Sequence, residues 1–324
     1  MSSTAGPGIQ YALDAIAAGN AETLDGRSVN SAYRITDGIQ SLSVKVHSEE
    51  LSTELDFHRI LRVDAALRGA TWYPPLLDLG FHPAHRRLVA IRPYVRGVPS
   101  DDARKHIPEL IEVLADLAAL GGNTGVAADL ASDYASPWLL DWEKEHRLSS
   151  GLLKGEWSFL ARMVNGQVEA LRDSAVRLTR TDSPAVYHSD LHGRNLIVQH
   201  LQPLTVIDWD EAGFTLRPAD EGKSLWLSCR SGRGDFVLDP VAVRRFLARS
   251  QARLHIPLSG AVDLAKLGAM WFLPRYGHVD LLRQRDARLV QWYLGWVSRF
   301  WKRFRENVEL IASTAASLDR DTPH

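Results

Sequence analysis

The sequence predicts an α+β fold with two lobes, a small N-terminal lobe of antiparallel strands plus a helix and a larger, mainly helical C-terminal lobe. Three observations support this fold. Residues 31–46 hold two alternating runs around the dipeptide Asp37-Gly38, which is typical of β-hairpin turns. From residue 107 onward apolar residues recur mostly at helical spacing. Residues 186–210 interrupt that helical part with two short strand-like runs.

Composition limits the class of protein before any motif is considered. The chain has 324 residues, of which 45% are hydrophobic and 24% charged, as in a globular protein with a sizeable core. A net charge of −1 gives no overall attraction to nucleic acid or to an anionic membrane. Cys229 is the single cysteine, which fits a reducing compartment and excludes an internal disulfide. Without a secretory signal or a long apolar run, the chain is expected to be cytoplasmic, with no membrane or nucleic-acid partner.

The N-terminal lobe is expected to span residues 1–93. After a frayed start at residues 1–8, residues 9–19 have helical spacing and stop at a glycine. A second helix is predicted over residues 51–67, with Ser52 or Thr53 as its cap. Residues 87–95, "RLVAIRPYV", form a predicted strand. A hinge between the lobes is expected near residues 92–98.

The C-terminal lobe is expected to span residues 94–324. It opens with an amphipathic helix over residues 106–122, and helical periodicity returns over residues 138–180 and 239–312. The last predicted helix, "VQWYLGWVSRFWKRFRENVELIAST", holds several of the ten tryptophans at a spacing typical of a packed core face. The last dozen residues of the chain are expected to be disordered.

Polar side chains are concentrated between residues 188 and 211, around the two strand-like runs. Asn195 comes directly before the run "LIV", and Asp208 comes directly after the run "LTVI". If these runs pair as a hairpin, Asn195 and Asp208 lie side by side. A carboxylate and an amide oxygen are hard ligands that suit Mg²⁺. Asp190, in the preceding loop, could accept a proton from an attacking hydroxyl.

Two other interpretations of this stretch remain open at the level of the residues alone. The segment "HSDLH" offers residue types that zinc sites use, although the histidines elsewhere follow no matching pattern. A turn whose polar side chains only satisfy the backbone would also use aspartate and asparagine.

The segments "HSDLHGRN" and "VIDWDEAG" resemble the catalytic and metal loops of the aminoglycoside phosphotransferase and choline kinase family, which is related to the protein kinases. Other pieces follow in the order of that family. "LDGRSVNSAYRI" resembles its nucleotide loop, without the G-x-G-x-x-G of protein kinases, and "LVAIRPYVRGVP" resembles its hinge. The resemblance covers roughly residues 20–230, and it rests on the order of the pieces more than on any single motif.

The resemblance implies a protein-kinase-like fold that binds ATP, or GTP, together with Mg²⁺. It implies that Lys45 contacts the α- and β-phosphates, that Glu54 pairs with Lys45, and that Asp190 is the catalytic base. Asn195 and Asp208 would hold the metal ion. The expected nucleotide-binding residues are Gly26, Asn30, Ser31, Lys45, Glu54, Arg92 and Tyr94.

Several nearby residues have less certain expected roles. His188 is expected to brace the loop, and Asp220 to be a buried structural acid. His192 could brace the loop or line the site, and Asp210 could be a second metal contact or a surface acid. Relatives usually carry other residues at three positions that this sequence fills with Ser189, Arg194 and Arg92.

The expected acceptor is a hydroxyl group of a small molecule. An aminoglycoside or another antibiotic is the first choice, and a metabolite such as choline, an amino sugar or homoserine is the alternative. A protein kinase is disfavoured because few residues separate "DWDEAG" from "RPADEG", and a nucleotide-binding pseudokinase is disfavoured because none of the four central residues is missing. The side chains expected near the acceptor are Trp138, Asp141, Trp142, Glu143, Glu145, Asp210 and Glu211.

Overall fold

The structure is a computed structural model that describes residues 8–25, 30–36, 38, 40–122, 144, 147, 151, 153–178, 184–199, 203–215, 218–232 and 234–321. The N-terminal part of the described chain combines helices with the strands of a single sheet. In chain order these elements are α1 (Ile9–Ala17), β1 (Ala21–Asp25), β2 (Ser31–Thr36), β3 (Ser41–Val46), α2 (Glu54–Leu67), β4 (Asp78–Phe81) and β5 (Leu88–Pro93).

The N-terminal strands form a five-stranded antiparallel sheet in the order β1-β2-β3-β5-β4. The predicted hairpin is present, since β2 and β3 pair antiparallel on either side of residues 37–40. In this register Lys45 lies opposite Ala32 on one side and Ala90 on the other. The central position of β3 therefore places Lys45 in the middle of the sheet, between two small side chains.

Helix α2 begins at Glu54, and Thr53 and Asp56 form a capping box at its start. The side chain of Thr53 accepts a hydrogen bond from the backbone of Asp56, and the Asp56 carboxylate accepts one from the backbone of Thr53. This reciprocal capping box satisfies two backbone N–H groups that a helix start leaves unpaired. Of the two predicted caps, Thr53 is therefore the one that the structure uses.

The C-terminal part of the described chain is mainly helical. Its helices are α3 (Ile107–Gly122), α4 (Ser158–Asn165), α5 (Val168–Arg177), α6 (Ala219–Ser228), α7 (Pro240–Leu254), α8 (Ala261–Ala269), α9 (Tyr276–Arg285) and α10 (Ala287–Asp321). Its short strands are β6 (Val98–Pro99), β7 (Ala185–Tyr187), β8 (Leu196–Val198), β9 (Thr205–Val206) and β10 (Gly213–Thr215). The predicted pairing of β8 with β9 is present, with Leu196 opposite Val206.

The core of the helical part is built from aromatic side chains. Phe272 and Phe300 stack with ring centroids 3.9 Å apart, and Trp226 packs edge-on against Phe300 at 4.8 Å. All three are fully buried. Trp226 also donates a hydrogen bond of 2.7 Å to the backbone oxygen of Ala265, which satisfies its indole N–H inside the core. This core fixes α6, the helix that follows the polar loops, against α8 and α10.

The C-terminal helix is longer than the sequence predicted. Helix α10 continues to Asp321, so the expectation that the last dozen residues are disordered is wrong for residues up to Asp321. Ile311 and Ala315 are buried, which continues the apolar stripe of the helix beyond its tryptophans. Arg244 on α7 donates to the Asp321 carboxylate at 2.7 Å and ties down the end of the helix.

The described chain thus has the predicted α+β architecture, with an antiparallel sheet in its N-terminal part and helices in most of the remainder. No helix among the described residues is both long enough and apolar enough to cross a membrane.

Candidate active site

Lys45 lines a cavity of about 760 Å³ between the sheet and the helical part. Its Nζ lies 2.5 Å from Oδ1 of Asp208 and 2.5 Å from Oδ2 of Asp210. Burial disfavours a charged ammonium, but the two carboxylates outweigh burial and raise the pKa of Lys45 above its ordinary value. Lys45 is therefore a charged side chain of the sheet that holds the loop after β9.

The predicted ion pair between Glu54 and Lys45 is not formed. Glu54 is the first residue of α2 and is exposed, whereas the carboxylates on Lys45 come from Asp208 and Asp210. The buried face of α2 begins at Asp56. Glu54 lies two residues before Asp56, which is about 200° around the helix. The start of α2 therefore turns Glu54 away from the sheet.

Arg59 is the residue through which α2 contacts the loop after β9. Its Nη1 donates to the backbone oxygen of Asp210 at 3.0 Å and to that of Ala212, and its Nη2 donates to Asp56 at 2.9 Å. Arg59 is only 4% exposed. Sequence reasoning missed this clamp. The spacing of Asp56 and Arg59, three residues apart in a predicted helix, signals their ion pair but not the contact of Arg59 with the loop.

Asn30 connects the first hairpin to the same loop. Its Nδ2 donates to Oδ2 of Asp210 at 2.6 Å, and its Oδ1 accepts from the backbone of Ser48 at 2.7 Å. Burial raises the pKa of a carboxyl, but the charges of Lys45 and His47 and the hydrogen bonds of Lys45 and Asn30 lower the pKa of Asp210 to about 2. Asp210 is therefore an ionised carboxylate held by two N-terminal side chains, not a surface acid.

His188 braces the loop before Asp190, as predicted. Its Nδ1 accepts from the backbone of Asp190 at 3.1 Å, so its Nε2 carries the proton and faces the backbone oxygen of Ile207 at 2.8 Å. Complete burial lowers the pKa of His188 to about 4, which leaves the ring neutral. Both ring nitrogens are engaged, so His188 has no lone pair for a metal.

Asp220 holds the same loop from the other side. Its carboxylate accepts hydrogen bonds from the backbone N–H groups of His188 and Ser189. Ser189 has a φ of 78°, in the left-handed region that favours glycine. Burial, together with the nearby Glu221, raises the pKa of Asp220 to about 7 despite the backbone donors. Asp220 is buried, as predicted, and it stabilises a strained turn directly before Asp190.

Asp190 accepts hydrogen bonds from three side chains. Nζ of Lys223 lies 2.8 Å from Oδ1, and Nε2 of His192 lies 3.1 Å from Oδ2. Nδ2 of Asn195 lies 3.3 Å from Oδ2. Burial opposes ionisation, but Lys223 and His192 outweigh it and hold the pKa of Asp190 well below its ordinary value. His192 thus contacts the predicted base. Sequence reasoning did not identify Lys223.

Asn195 is oriented by its contact with Asp190. Its Nδ2 also donates to the backbone oxygen of Asp190 at 2.9 Å, so the amide oxygen is the atom left for another partner. The backbone N–H of Ile207 donates to the backbone oxygen of Asn195 at 2.9 Å across the β8–β9 hairpin, so the side-chain amide oxygen is not used by this bond. This hairpin brings Asn195 and Asp208 to the wall of one cavity, as the sequence predicted.

Asp208 lies where two cavities meet. It lines the 760 Å³ cavity that contains Lys45 and a second cavity of about 320 Å³ that contains Asp190. Its φ of 72° is also in the left-handed region, which turns the chain sharply at the end of β9. Asp208 thus lies between Asn195, which lines the larger cavity, and Asp190, which lines the smaller one.

The donor set of Asn195 and Asp208 fits Mg²⁺ better than zinc. An amide oxygen from Asn195 and a carboxylate from Asp208 are hard ligands that leave room for phosphate oxygens and water. The described residues contain no group of three or more His, Cys, Asp or Glu side chains that could hold a metal ion. Since the ring nitrogens of His188 and His192 are all engaged in hydrogen bonds, to Asp190, Arg194 and the backbone oxygen of Ile207, a zinc site built on "HSDLH" is not formed.

The hinge supplies another wall of the larger cavity. Arg92 and Tyr94 both line it. Arg92 donates to the hydroxyl of Tyr73 at 2.8 Å and to the backbone oxygen of Pro74 at 2.6 Å, so its guanidinium is held at the edge of the cavity. Ser31, the first residue of β2, pairs with Val46 and does not line either cavity. Arg92 and Tyr94 are thus near Lys45, whereas Ser31 is not brought to the site.

The smaller cavity combines aromatic rings with charged groups. The aromatic residues are Trp271, Trp292, Tyr293 and Trp296. Lys223, Arg275 and Glu211 also line it. Burial, with the charge of Arg275 nearby, lowers the pKa of His278 to about 3, so this histidine is neutral. The cavity can accept a small, partly apolar molecule next to Asp190.

Some predicted site residues lie outside the described part of the chain. They are Gly26, Trp138, Asp141, Trp142, Glu143 and Glu145.

The sequence profile of a known family matches most of this arrangement. Residues 21–255 match the profile of the phosphotransferase enzyme family, APH. This span contains the sheet, both cavity-lining loops and helix α6. No curated protein sequence matches the chain.

Solved structures of several small-molecule kinases are similar in fold. A microcompartment-associated aminopropanol kinase aligns with a TM-score of 0.65 and 18% identity over 93% of this chain and 99% of its own. Spectinomycin phosphotransferase APH(9)-Ia, in complex with ADP and spectinomycin, aligns with a TM-score of 0.61 and 15% identity over 91% and 92%. A putative aminoglycoside phosphotransferase from Ralstonia eutropha aligns with a TM-score of 0.60 and 17% identity over 95% and 98%.

Proposed function

The chain belongs to the phosphotransferase enzyme family and is a small-molecule kinase, and we propose that it transfers the γ-phosphoryl group of ATP to a hydroxyl group of its acceptor. The observation that carries this proposal is that Asp208 lines two cavities, one that contains Lys45 and one that contains Asp190 and aromatic rings. Such an arrangement lets a nucleotide and an acceptor meet at a carboxylate.

In the proposed complex, ATP occupies the larger cavity and Lys45 binds the α- and β-phosphates. Asp210, which Asn30 also holds, remains as the counterion of Lys45. Arg92 and Tyr94, at the hinge end of this cavity, would lie near the adenine ring of ATP. The amide oxygen of Asn195 and the carboxylate of Asp208 would hold Mg²⁺, which neutralises phosphate charge when it is bound.

Asp190 orients the acceptor hydroxyl and takes its proton. The hydroxyl oxygen forms a bond to the γ-phosphorus, while the bond from that phosphorus to the bridging oxygen breaks and leaves its electron pair on ADP. The low pKa of Asp190 makes it a weak base. In a loose phosphoryl transition state the proton leaves late, so orientation by Asp190 contributes more than its basicity.

The acceptor is proposed to be an aminoglycoside or another antibiotic, with a small metabolite as the alternative. The name of the spectinomycin phosphotransferase supports an antibiotic acceptor, and the name of the aminopropanol kinase supports a small metabolite. The aromatic wall of the smaller cavity suits a ring-containing acceptor. Of the acids expected to attract a cationic acceptor, Asp210 is already engaged by Lys45 and Asn30.

A coupled ADP-release screen tests this function. The panel contains aminoglycosides, spectinomycin, other antibiotics, amino alcohols, sugars, polyols and hydroxy acids, each with ATP and MgCl₂. We expect acceptor-dependent ADP release and a phosphate monoester by mass spectrometry. If no acceptor releases ADP and no nucleotide raises the melting temperature, the chain is not an active kinase of this class.

A further inference from the structure

Lys223 belongs to the acceptor side of the site, although no motif marked it. It lies on α6, and its side chain is only 12% exposed. Its Nζ donates to the backbone oxygen of Ser189 and to Oδ1 of Asp190, and it lies 4.6 Å from the ring centroid of Trp271. The ammonium is thus held from three directions at the wall of the smaller cavity.

The hydrogen bonds of Asp190 determine which of its oxygens can receive an acceptor. Each carboxylate oxygen has about two lone-pair sites. Oδ2 already accepts from Nε2 of His192 and from Nδ2 of Asn195. The His192 Nε2 carries its proton because its Nδ1 accepts from the backbone of Arg194. Within the described part of the chain, Oδ1 accepts a hydrogen bond from Lys223 alone, so one lone-pair site remains on Oδ1.

We propose that the acceptor hydroxyl binds Oδ1 of Asp190 beside Lys223, and that Lys223 selects hydroxyl groups with no ammonium on the adjacent carbon. This inference rests on the proposed phosphotransfer function. Two groups that hydrogen-bond to the same oxygen lie about 5 Å apart or closer. The ammonium of Lys223 is therefore next to the oxygen that attacks the phosphorus.

This position gives Lys223 a role in the chemical step. As the acceptor oxygen bonds to the γ-phosphorus, its proton passes to Oδ1 of Asp190 and the electron pair of the breaking bond goes to ADP. Negative charge on the transferred phosphoryl group then lies close to the ammonium of Lys223. A fixed cation at this place stabilises the transition state more than it stabilises the complex with bound substrates.

The same ammonium limits the substrate class. An acceptor that carries an ammonium on the carbon next to its hydroxyl would bring two positive charges together in a partly buried cavity, which is unfavourable. Asp208 and Asp210 already contact Lys45. Glu211 also lines this cavity, but the groups that hold Lys223 are Ser189, Asp190 and Trp271, so the ammonium next to the reacting oxygen is not paired with Glu211. The acceptors that fit are neutral sugars, polyols, hydroxy acids, and antibiotics whose reacting hydroxyl is remote from their amino groups.

Variants of Lys223 test its role in the chemical step. With the best acceptor of the ADP-release screen, we expect Lys223→Met to lower kcat about 100-fold or more, while KM for ATP changes by less than about threefold. Lys223→Arg keeps the charge and should recover part of kcat. Lys302→Met is the matched control, because Lys302 also places its ammonium over a ring, that of Phe159 at 5.2 Å, on the surface of α10.

A kcat of Lys223→Met equal to that of the wild type would overturn the inference and leave the proposed function intact. A loss of kcat accompanied by an equal loss of nucleotide binding would also overturn it, since a general structural defect produces that result. Circular dichroism and the ATP-induced shift in melting temperature separate these outcomes. Absence of ADP release from every acceptor overturns the proposed function, and this inference with it.

Matched acceptors test the substrate class. The panel includes glycerol against 2-amino-1,3-propanediol and 1,2-propanediol against 1-amino-2-propanol, and NMR locates the phosphate on every product. We expect each phosphorylated hydroxyl to lack an ammonium on the adjacent carbon, and Lys223→Met to reduce the difference in kcat/KM within a pair. Efficient wild-type phosphorylation of a hydroxyl next to an ammonium contradicts the proposed selection.

Discussion

Asp210 provides the local charge that the sequence assigned to Glu54. Its carboxylate contacts Lys45 and Asn30, whereas Glu54 lies on the exposed side of α2. In the proposed complex, Asp208 would bind the metal ion, so Asp210 is the carboxylate that keeps Lys45 in place. The carboxylate that positions Lys45 therefore comes from the loop after β9 and not, as the sequence had predicted, from helix α2.

Variants at these two positions distinguish the assignments. We expect Asp210→Asn to raise KM for ATP about tenfold or more, which corresponds to about 1.4 kcal/mol of lost interaction. Glu54→Gln is the matched control, and its KM for ATP should equal that of the wild type. Steady-state kinetics with saturating acceptor measure both. An increase in KM for Glu54→Gln as large as that for Asp210→Asn would restore the helix acid as the partner of Lys45.

His188 gives the protein a specific sensitivity to acid. Its folded-state pKa of about 4 lies below the ordinary value of 6.5, so the unfolded chain binds a proton first as pH falls. This contribution to stability is complete above pH 6.5 and is lost as pH falls from 6.5 toward 4. From these two pKa values we expect a loss of about 2 kcal/mol between pH 7 and pH 5.

The difference between wild type and His188→Gln isolates this contribution from the opposite one of Asp220, whose pKa is raised. Glutamine has a donor and an acceptor but does not titrate. We expect the wild type to be more stable at pH 7, and the gap in unfolding free energy to shrink by about 2 kcal/mol at pH 5. Urea unfolding at both pH values measures the gap, and a gap independent of pH would mean that His188 is not held neutral.

At the scale of elements, α6 carries two side chains of the site, Asp220 and Lys223, and its position depends on a close helix crossing. Gly222 of α6 and Gly268 of α8 face each other with their backbones in contact. A Cβ on Gly268 would lie far inside van der Waals distance of the Gly222 backbone. Only glycine at both positions lets the two helices approach this closely.

We therefore expect Gly268→Ala to lower the free energy of unfolding by at least about 2 kcal/mol, because backbone atoms have to move apart. It should also lower kcat, since α6 positions Asp220 and Lys223. Gly277→Ala on α9 is the control: a Cβ there meets no atom within 4 Å, and the change should be neutral or slightly stabilising. Denaturant titration measures both, and equal effects of the two substitutions would show that the crossing does not matter.

The sequence predicted the elements that local signals determine, and it missed contacts that depend on residues far apart in the chain. Helix α2 and the β2–β3 hairpin follow from a capping box and a turn signal that are local in the chain. The hairpin geometry likewise placed Asn195 beside Asp208. In contrast, Arg59 and Lys223 act through contacts 151 and 33 residues away along the chain. No local pattern encodes such pairings, and the facing direction of Glu54 depends on where its helix starts.

At the scale of the whole molecule, several side chains of the N-terminal part contact the loop after β9. Lys45, Asn30 and Arg59 all contact Asp210, through its side chain or its backbone. A ligand that binds between these parts adds its own contacts to both. Nucleotide binding should therefore stabilise the entire fold and not only one lobe.

Metal removal tests how the nucleotide stabilises the fold. At 100 times Kd, MgATP should raise the free energy of unfolding by about 2.7 kcal/mol. We expect ATP with EDTA to give a clearly smaller increase, and Asn195→Ala to reduce the difference between the two conditions. Thermal unfolding of the full chain provides the measurement. If ATP raises the melting temperature of the wild type equally with and without metal, the assignment of Asn195 and Asp208 as metal ligands is wrong.

The central claim is that Asp190, Asn195 and Asp208 meet between a nucleotide cavity and an acceptor cavity, with Asp190 on the reacting hydroxyl. The most direct measurement compares Asp190→Asn with the wild type in acceptor-dependent ADP release and in the ATP-induced shift of melting temperature. We expect turnover to fall at least about 100-fold while the shift is retained. Turnover that survives the substitution would contradict the claim.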